Sequence, residues 1–155
     1  MAGVTSIEIL GLPGVRAKLD RIFTAVENPD RSLLTEIGEY MRFRIQKRTA
    51  EGKDVDGKAF EPYSPAYAAY RDETGHPSGT VNLFFTGSMM SSMDFDIAAG
   101  KVEMFFQGTQ DPSGVSNAAK AFWLNEKRTF FSLSEDDVQG ITDIVNEYYN
   151  KVIRS

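Results

Sequence analysis

The spacing of hydrophobic residues changes period along the chain, and the changes mark its elements. Thr5 to Leu10 alternates weakly, with Ile7 and Ile9 on one side and Ser6 and Glu8 on the other. That pattern predicts a short strand or an arm. Val15, Leu19, Ile22 and Val26 then recur at four, three and four, which predicts an amphipathic helix opened by Pro13 and running to Glu27. Asn28-Pro29 is a second helix start, a capping residue followed by proline at the first helical position. Its apolar stripe is Leu34, Ile37, Met41 and Ile45, and Gly52 ends it after roughly 20 residues. Asp30, Glu36 and Glu39 come early in this helix and Arg42, Arg44, Lys47 and Arg48 late, the order that suits a helix dipole.

Past the middle the period shortens to two. Val81 to Phe85 is apolar and β-prone. Met93, Phe95 and Ile97 alternate with Asp94 and Asp96; Val102, Met104 and Phe106 alternate with Glu103 and Phe105. With the Ala98-Ala99-Gly100-Lys101 connection these two strands form a hairpin. Gln110 to Gly114 is expected as a loop. Ser116 or Asn117 caps a short helix through Ala118, Ala119, Phe122 and Trp123, and Thr129 to Leu133 is expected as a short strand. Ser134 caps the last helix, with Asp137 as its capping-box partner and Leu133 and Val138 at staple positions. Val138, Ile141, Val145, Tyr148 and Val152 make its stripe. Helices, then strands, then helices predict an α+β fold: a small antiparallel sheet packed against two long amphipathic helices, with short additional helices. Residues 1–155 read as one domain, with 1–12 as an N-terminal arm or strand.

Between the long helix and the strands runs Asp54-Val55-Asp56-Gly57-Lys58-Ala59-Phe60-Glu61-Pro62-Tyr63-Ser64-Pro65-Ala66-Tyr67-Ala68-Ala69-Tyr70-Arg71. Asp56-Gly57 is a turn signal, because Gly accepts positive φ and Asp bonds its own backbone. Pro62 and Pro65 keep their predecessors extended. Ser64 caps a helix that Pro65 opens, and Tyr67 and Tyr70, three apart, share a face of it. Phe60, Tyr63, Tyr67 and Tyr70 therefore cluster in a segment too short for a core of its own. They either lid the main core or form a subunit interface, where large aromatic rings are enriched.

The chain's chemistry is sparse. It has a net charge of -5 and no Cys, which excludes disulfide and thiolate chemistry and argues against a general nucleic-acid binder. Met1 to Leu12 lacks a signal-peptide pattern. No stretch approaches the roughly 20 apolar residues of a membrane span, so no membrane partner is expected. Asp54, Asp56 and Glu61 are the only set that suggests a metal-dependent hydrolase, and Lys58 and Ala59 stand where further ligands of a calcium loop belong. His76, the one histidine, lies between Gly75 and Pro77 with no nucleophile pattern nearby. Neither an enzyme nor a cofactor is expected. Arg44, Lys47 and Arg48 share a helical face that is either a solvated helix end or a contact for DNA or an acidic partner.

The central stretch, with its Asp-Gly turn, bulky aromatic, Pro, Ser-Pro and Tyr helix ending in Arg71, resembles the phage virion morphogenesis family. Thr86-Gly87-Ser88-Met89-Met90 and Arg128-Thr129-Phe130-Phe131-Ser132-Leu133-Ser134 fit the same family in order, over Leu33 to Val152. One departure is Phe122-Trp123-Leu124-Asn125, where the family has a His-Gln-x-Gly-like turn. The resemblance implies a structural protein that completes the tail or joins it to the head. Such a protein would act as a subunit of a ring, commonly a hexamer, at the head–tail junction or tail end of the virion, after synthesis in the host cytoplasm. Its partners would be copies of itself and neighbouring neck or tail proteins, with DNA in the lumen as a further candidate. The alternatives are a DNA-binding accessory protein using the basic stripe, or the metal-dependent hydrolase above.

Overall fold

A computed structural model describes residues 6–8, 31–83, 87–98, 100–110 and 114–154. The expected helix from Pro13 to Glu27 and the Asn28-Pro29 start signal lie outside the described residues. In chain order the elements are β1 (Ser6–Glu8), α1 (Arg31–Ala50), α2 (Pro65–Glu73), α3 (Ser88–Ser91), β2 (Met93–Ala98), β3 (Lys101–Phe106), β4 (Thr109–Gln110), β5 (Val115–Ser116), α4 (Asn117–Lys127) and α5 (Glu135–Arg154). The class is α+β. These elements fall into two compact units. The first gathers the described residues between Ile45 and Met93 and between Phe106 and Ser132. The second gathers those between Ser6 and Arg44, between Asp94 and Phe105, and between Leu133 and Ser155.

In the second unit the strand order is β1-β3-β2. β1 runs antiparallel to β3, with Ile7 opposite Met104. The period-two pattern of β3 is expressed directly: Val102 and Met104 are fully buried while Lys101 and Glu103 are half-exposed. Leu33, Leu34, Ile37 and Met41 of α1 and Ile141 and Val145 of α5 complete this unit's interior. Burying each such aliphatic side chain contributes on the order of 1.5–3 kcal/mol. Two glycines permit close approach. A Cβ on Gly38 would collide with the Phe95 ring, and one on Gly140 with the Tyr40 hydroxyl.

The start of α5 is a reciprocal capping box. Ser134 Oγ accepts from the Asp137 backbone N–H at 3.0 Å, and Asp137 Oδ2 accepts from the Ser134 N–H at 2.9 Å. Asp137 is fully buried, and its Oδ1 accepts from Arg44 Nε at 2.9 Å. The same carboxylate thus caps one helix and fastens it to another.

The regular elements that lie within the first unit are short, none longer than the 11 residues of α4. Phe60, Met89, Met90, Met93, Phe106, Ala121, Phe130 and Phe131 are buried there. Three expectations are corrected in this unit. Thr129 to Leu133 is not a strand, because side chains take the backbone groups a ladder would use. Asn125 Oδ1 accepts from the Phe130 and Phe131 N–H groups at 3.0 and 2.9 Å. Asn125 Nδ2 donates to Phe131 O at 3.3 Å, and Arg48 Nη2 donates to Phe130 O and Ser132 O at 3.1 and 2.6 Å. Val81 to Leu83 is likewise not strand, and Leu83 has φ of 60°, a conformation strained for a branched side chain; Phe84 and Phe85 lie outside the described residues. Gln110 is not loop but the end of β4, which pairs with β5 in a two-stranded ribbon.

Candidate functional site

The central stretch is built as its residues dictate. Gly57 has φ of 79°, and Asp54 Oδ1 accepts from the Asp56 and Lys58 N–H groups, both at 2.9 Å. The Asp54 carboxylate is thus engaged by the turn. Among the described residues no group of His, Asp or Glu is placed to hold a metal ion, so Asp54, Asp56 and Glu61 do not form a centre. Ser64 caps α2 through Tyr67 N–H, and Pro65 occupies its first turn. The turn is anchored by the Val55 N–H, which donates to Thr129 O at 2.8 Å.

Tyr63 is the hub of the aromatic cluster. The Arg71 guanidinium lies 4.7 Å from its ring centre and that of Arg128 lies 5.4 Å away. Both arginines are nearly covered, at 2% and 8% exposure. Arg128 is fixed by donating to Glu61 O and Pro62 O at 3.1 and 3.2 Å, and Arg71 Nη2 reaches Pro77 O at 3.4 Å. The Tyr63 ring attracts both covered guanidiniums, which offsets part of the cost of burying them. Tyr67 meets Tyr63 edge-on at 5.1 Å, and Tyr70 stacks beyond it at 6.2 Å.

Beside this cluster opens a cleft of about 600 Å³. Tyr63, Tyr67 and Arg71 form one wall; Lys120, Trp123, Leu124, Lys127 and Arg128 from α4 and its end form another; Leu83, Met89 and Val115 line it as well. Among the described residues no carboxylate lines it. Burial lowers the pKa of Lys120, since its ammonium loses water.

The four aromatics expected as a cluster therefore divide. Phe60 is interior, at 6% exposure, and Tyr63 is half-buried, whereas Tyr67 and Tyr70 are 40% and 51% exposed. Tyr70 does not line the cleft, whereas Trp123, 58% exposed, lines it with Tyr67. Its helical neighbours hinted at this, since Trp123 falls off the buried face marked by Ala121 and Asn125. The basic stripe also divides. Arg44 is tied to Asp137, an attachment that raises its already high pKa, and Arg48 is tied to the carbonyls of 130 and 132. Lys47 is exposed.

The pieces that carried the resemblance are thus joined in space: the Asp54–Gly57 turn to Thr129, Arg128 to the Phe60–Pro62 arm, and Arg71 to Tyr63. A model of the phage virion morphogenesis family matches residues 12–150. The chain belongs to the phage virion morphogenesis family. No curated protein and no solved structure matches it. Membership gives this virion morphogenesis protein a structural or assembly role in the phage particle. No helix among its described residues is long and apolar enough to cross a membrane. The departure at Phe122-Trp123-Leu124-Asn125 is helical in this family member, and Asn125 organises the segment after it.

Proposed function

We propose that this virion morphogenesis protein completes the phage tail or joins it to the head, as one subunit of a ring at the head–tail junction. The observation that carries the reading is the pair of exposed rings at one cleft, Tyr67 and Trp123, with the exposed Tyr70 stacked on Tyr67. Large rings held at a surface are the composition of interface centres. Phe60 and Tyr63 serve this surface from beneath, as its support. A ring of one chain needs two different, complementary surfaces whose contact closes on itself. Copies of the chain and neighbouring neck or tail proteins are its partners.

Imaging of particles assembled without the protein tests the reading. Heads and tails present but unjoined, or tails of abnormal length, are expected. Tyr67→Ala and Trp123→Ala should fold and yet fail to restore infectious particles. Normal particles in the absence of the protein would overturn the assignment.

A further inference from the structure

Lys120, Trp123, Leu124 and Lys127 all face the cleft from α4. Lys120 and Lys127 lie seven residues apart, about 10.5 Å along a helix axis. Neither makes an ion pair among the described residues. Lys120 is partly buried, and among the described residues no carboxylate lines the cleft beside it, so an occupant bringing negative charge would relieve a real cost. The described lining supplies Arg71 and Arg128 besides, and no acid. The cleft therefore selects an anionic surface with charges about two helical turns apart, flanking a place for an indole.

The chain carries such a surface. Among the described residues the first unit holds seven acidic and eight basic side chains, and the second eleven acidic and six basic. The acidic excess belongs wholly to the second unit. On α5, Asp136 and Asp143 are exposed and also seven apart, on the face opposite the buried Ile141 and Val145. Gly140 stands between them, covered by the Tyr40 phenol. The spacing of the two aspartates matches that of the two lysines.

We propose that α5 of a neighbouring copy docks on this cleft, with Asp136 and Asp143 meeting Lys120 and Lys127 and Trp123 packing between them. The inference rests on the ring reading and supplies its contact. Because cleft and helix are different surfaces of one chain, the contact is head-to-tail and repeats from copy to copy.

Trp123 is the only tryptophan in the chain, so its emission reports the cleft directly. Its emission should shift to the blue with rising protein concentration, in step with mass by light scattering, and the shift should reverse with added salt. The double reversals Lys120→Glu/Lys127→Glu and Asp136→Lys/Asp143→Lys should each weaken self-association at least tenfold. An equal mixture of the two variants, or all four changes in one chain, should regain it. The chain has no Cys, so Lys127→Cys and Asp143→Cys chains, mixed and oxidised, should cross-link to each other. This second measurement stands if a reversal variant fails to fold. Three results would overturn the proposal: a protein that stays monomeric with unshifted emission, association that ignores both reversals, or emission that responds to an oligo-dT strand while self-association does not. Imaging of particles made without the protein is independent of all three, so the contact can fail while the ring reading stands.

Discussion

Asn125 offers the sharpest test of how the first unit holds together. Its carboxamide oxygen serves the N–H groups of Phe130 and Phe131, both fully buried, and its nitrogen serves Phe131 O. Asn125→Leu keeps nearly the same shape and removes all three bonds. A buried donor left without an acceptor costs about 1–3 kcal/mol. Two such donors, with the loss of the weaker third bond, bring the expected destabilisation to about 3–4 kcal/mol. For a chain of this length, 1 kcal/mol corresponds to about 2–4 °C, so the melting temperature should fall by roughly 10 °C. Urea unfolding followed by Trp123 emission reads the unit concerned, since Trp123 stands two residues from Asn125 on α4. Amide exchange adds a local readout: the Phe130 and Phe131 amides should lose protection first. Asn125→Ala, which also leaves a small void, should be no milder than Asn125→Leu. If Asn125→Leu costs less than about 1 kcal/mol, or those two amides keep their protection, the segment is held by the packing of its phenylalanines and the hydrogen-bond account is wrong.

Other expectations rest on single features. Gly57→Val should destabilise by about 1 kcal/mol or more in thermal melts, entirely through its positive φ, since nothing lies within 4 Å of an added Cβ. Ser134→Ala should cost roughly 1 kcal/mol in urea unfolding, and Asp137→Ala about 2–3 kcal/mol, because the second also releases Arg44. The Tyr40 hydroxyl has a raised pKa, first through burial and then through the nearby Asp137, Asp143 and Asp136 carboxylates, against the pull of Arg44. The folded state therefore holds this proton longer than the unfolded chain. Stability should fall as pH rises above about 10, and Tyr40→Phe should remove that part of the fall in unfolding curves at about pH 9 and 11.

What could be read from the chain beforehand is what repeats or what punctuates. The stripe Leu34, Ile37, Met41, Ile45 proved wholly interior because helical period and burial are the same information. Ser64 and Ser134 announced their helices through short-range bonds that the sequence displays. The Asp56-Gly57 turn was legible for the same reason. Thr129 to Leu133 misled because an apolar run is consistent with any buried backbone. Whether a ladder or a side chain satisfies it depends on Arg48 and Asn125, and Arg48 is more than 80 residues away in sequence. The split of Arg44, Lys47 and Arg48 was hidden likewise, since a helical face does not reveal which of its charges find partners elsewhere. Trp123 was read as part of a helix, and only the fold shows that Tyr63, Tyr67 and Arg71 stand across a cleft from it.

The interleaving of the two units bears on how the chain comes to be folded at all. Each unit alternates with the other along the sequence, and each is secured by bonds between distant residues: Arg44 to Asp137 and Arg48 to Ser132. Closing such long loops precedes the reward of the contacts they bring, which makes high contact order slow. During synthesis the first unit stays open until 128–132 emerge, and the second until α5 does. Two neighbouring turns of one helix, at Arg44 and Arg48, thus wait on two neighbouring pieces of the chain's last quarter. Closure of the two units therefore depends on adjoining stretches of sequence, 128–132 and α5. Docking surfaces on either one come into being only when the whole subunit is ready to be used.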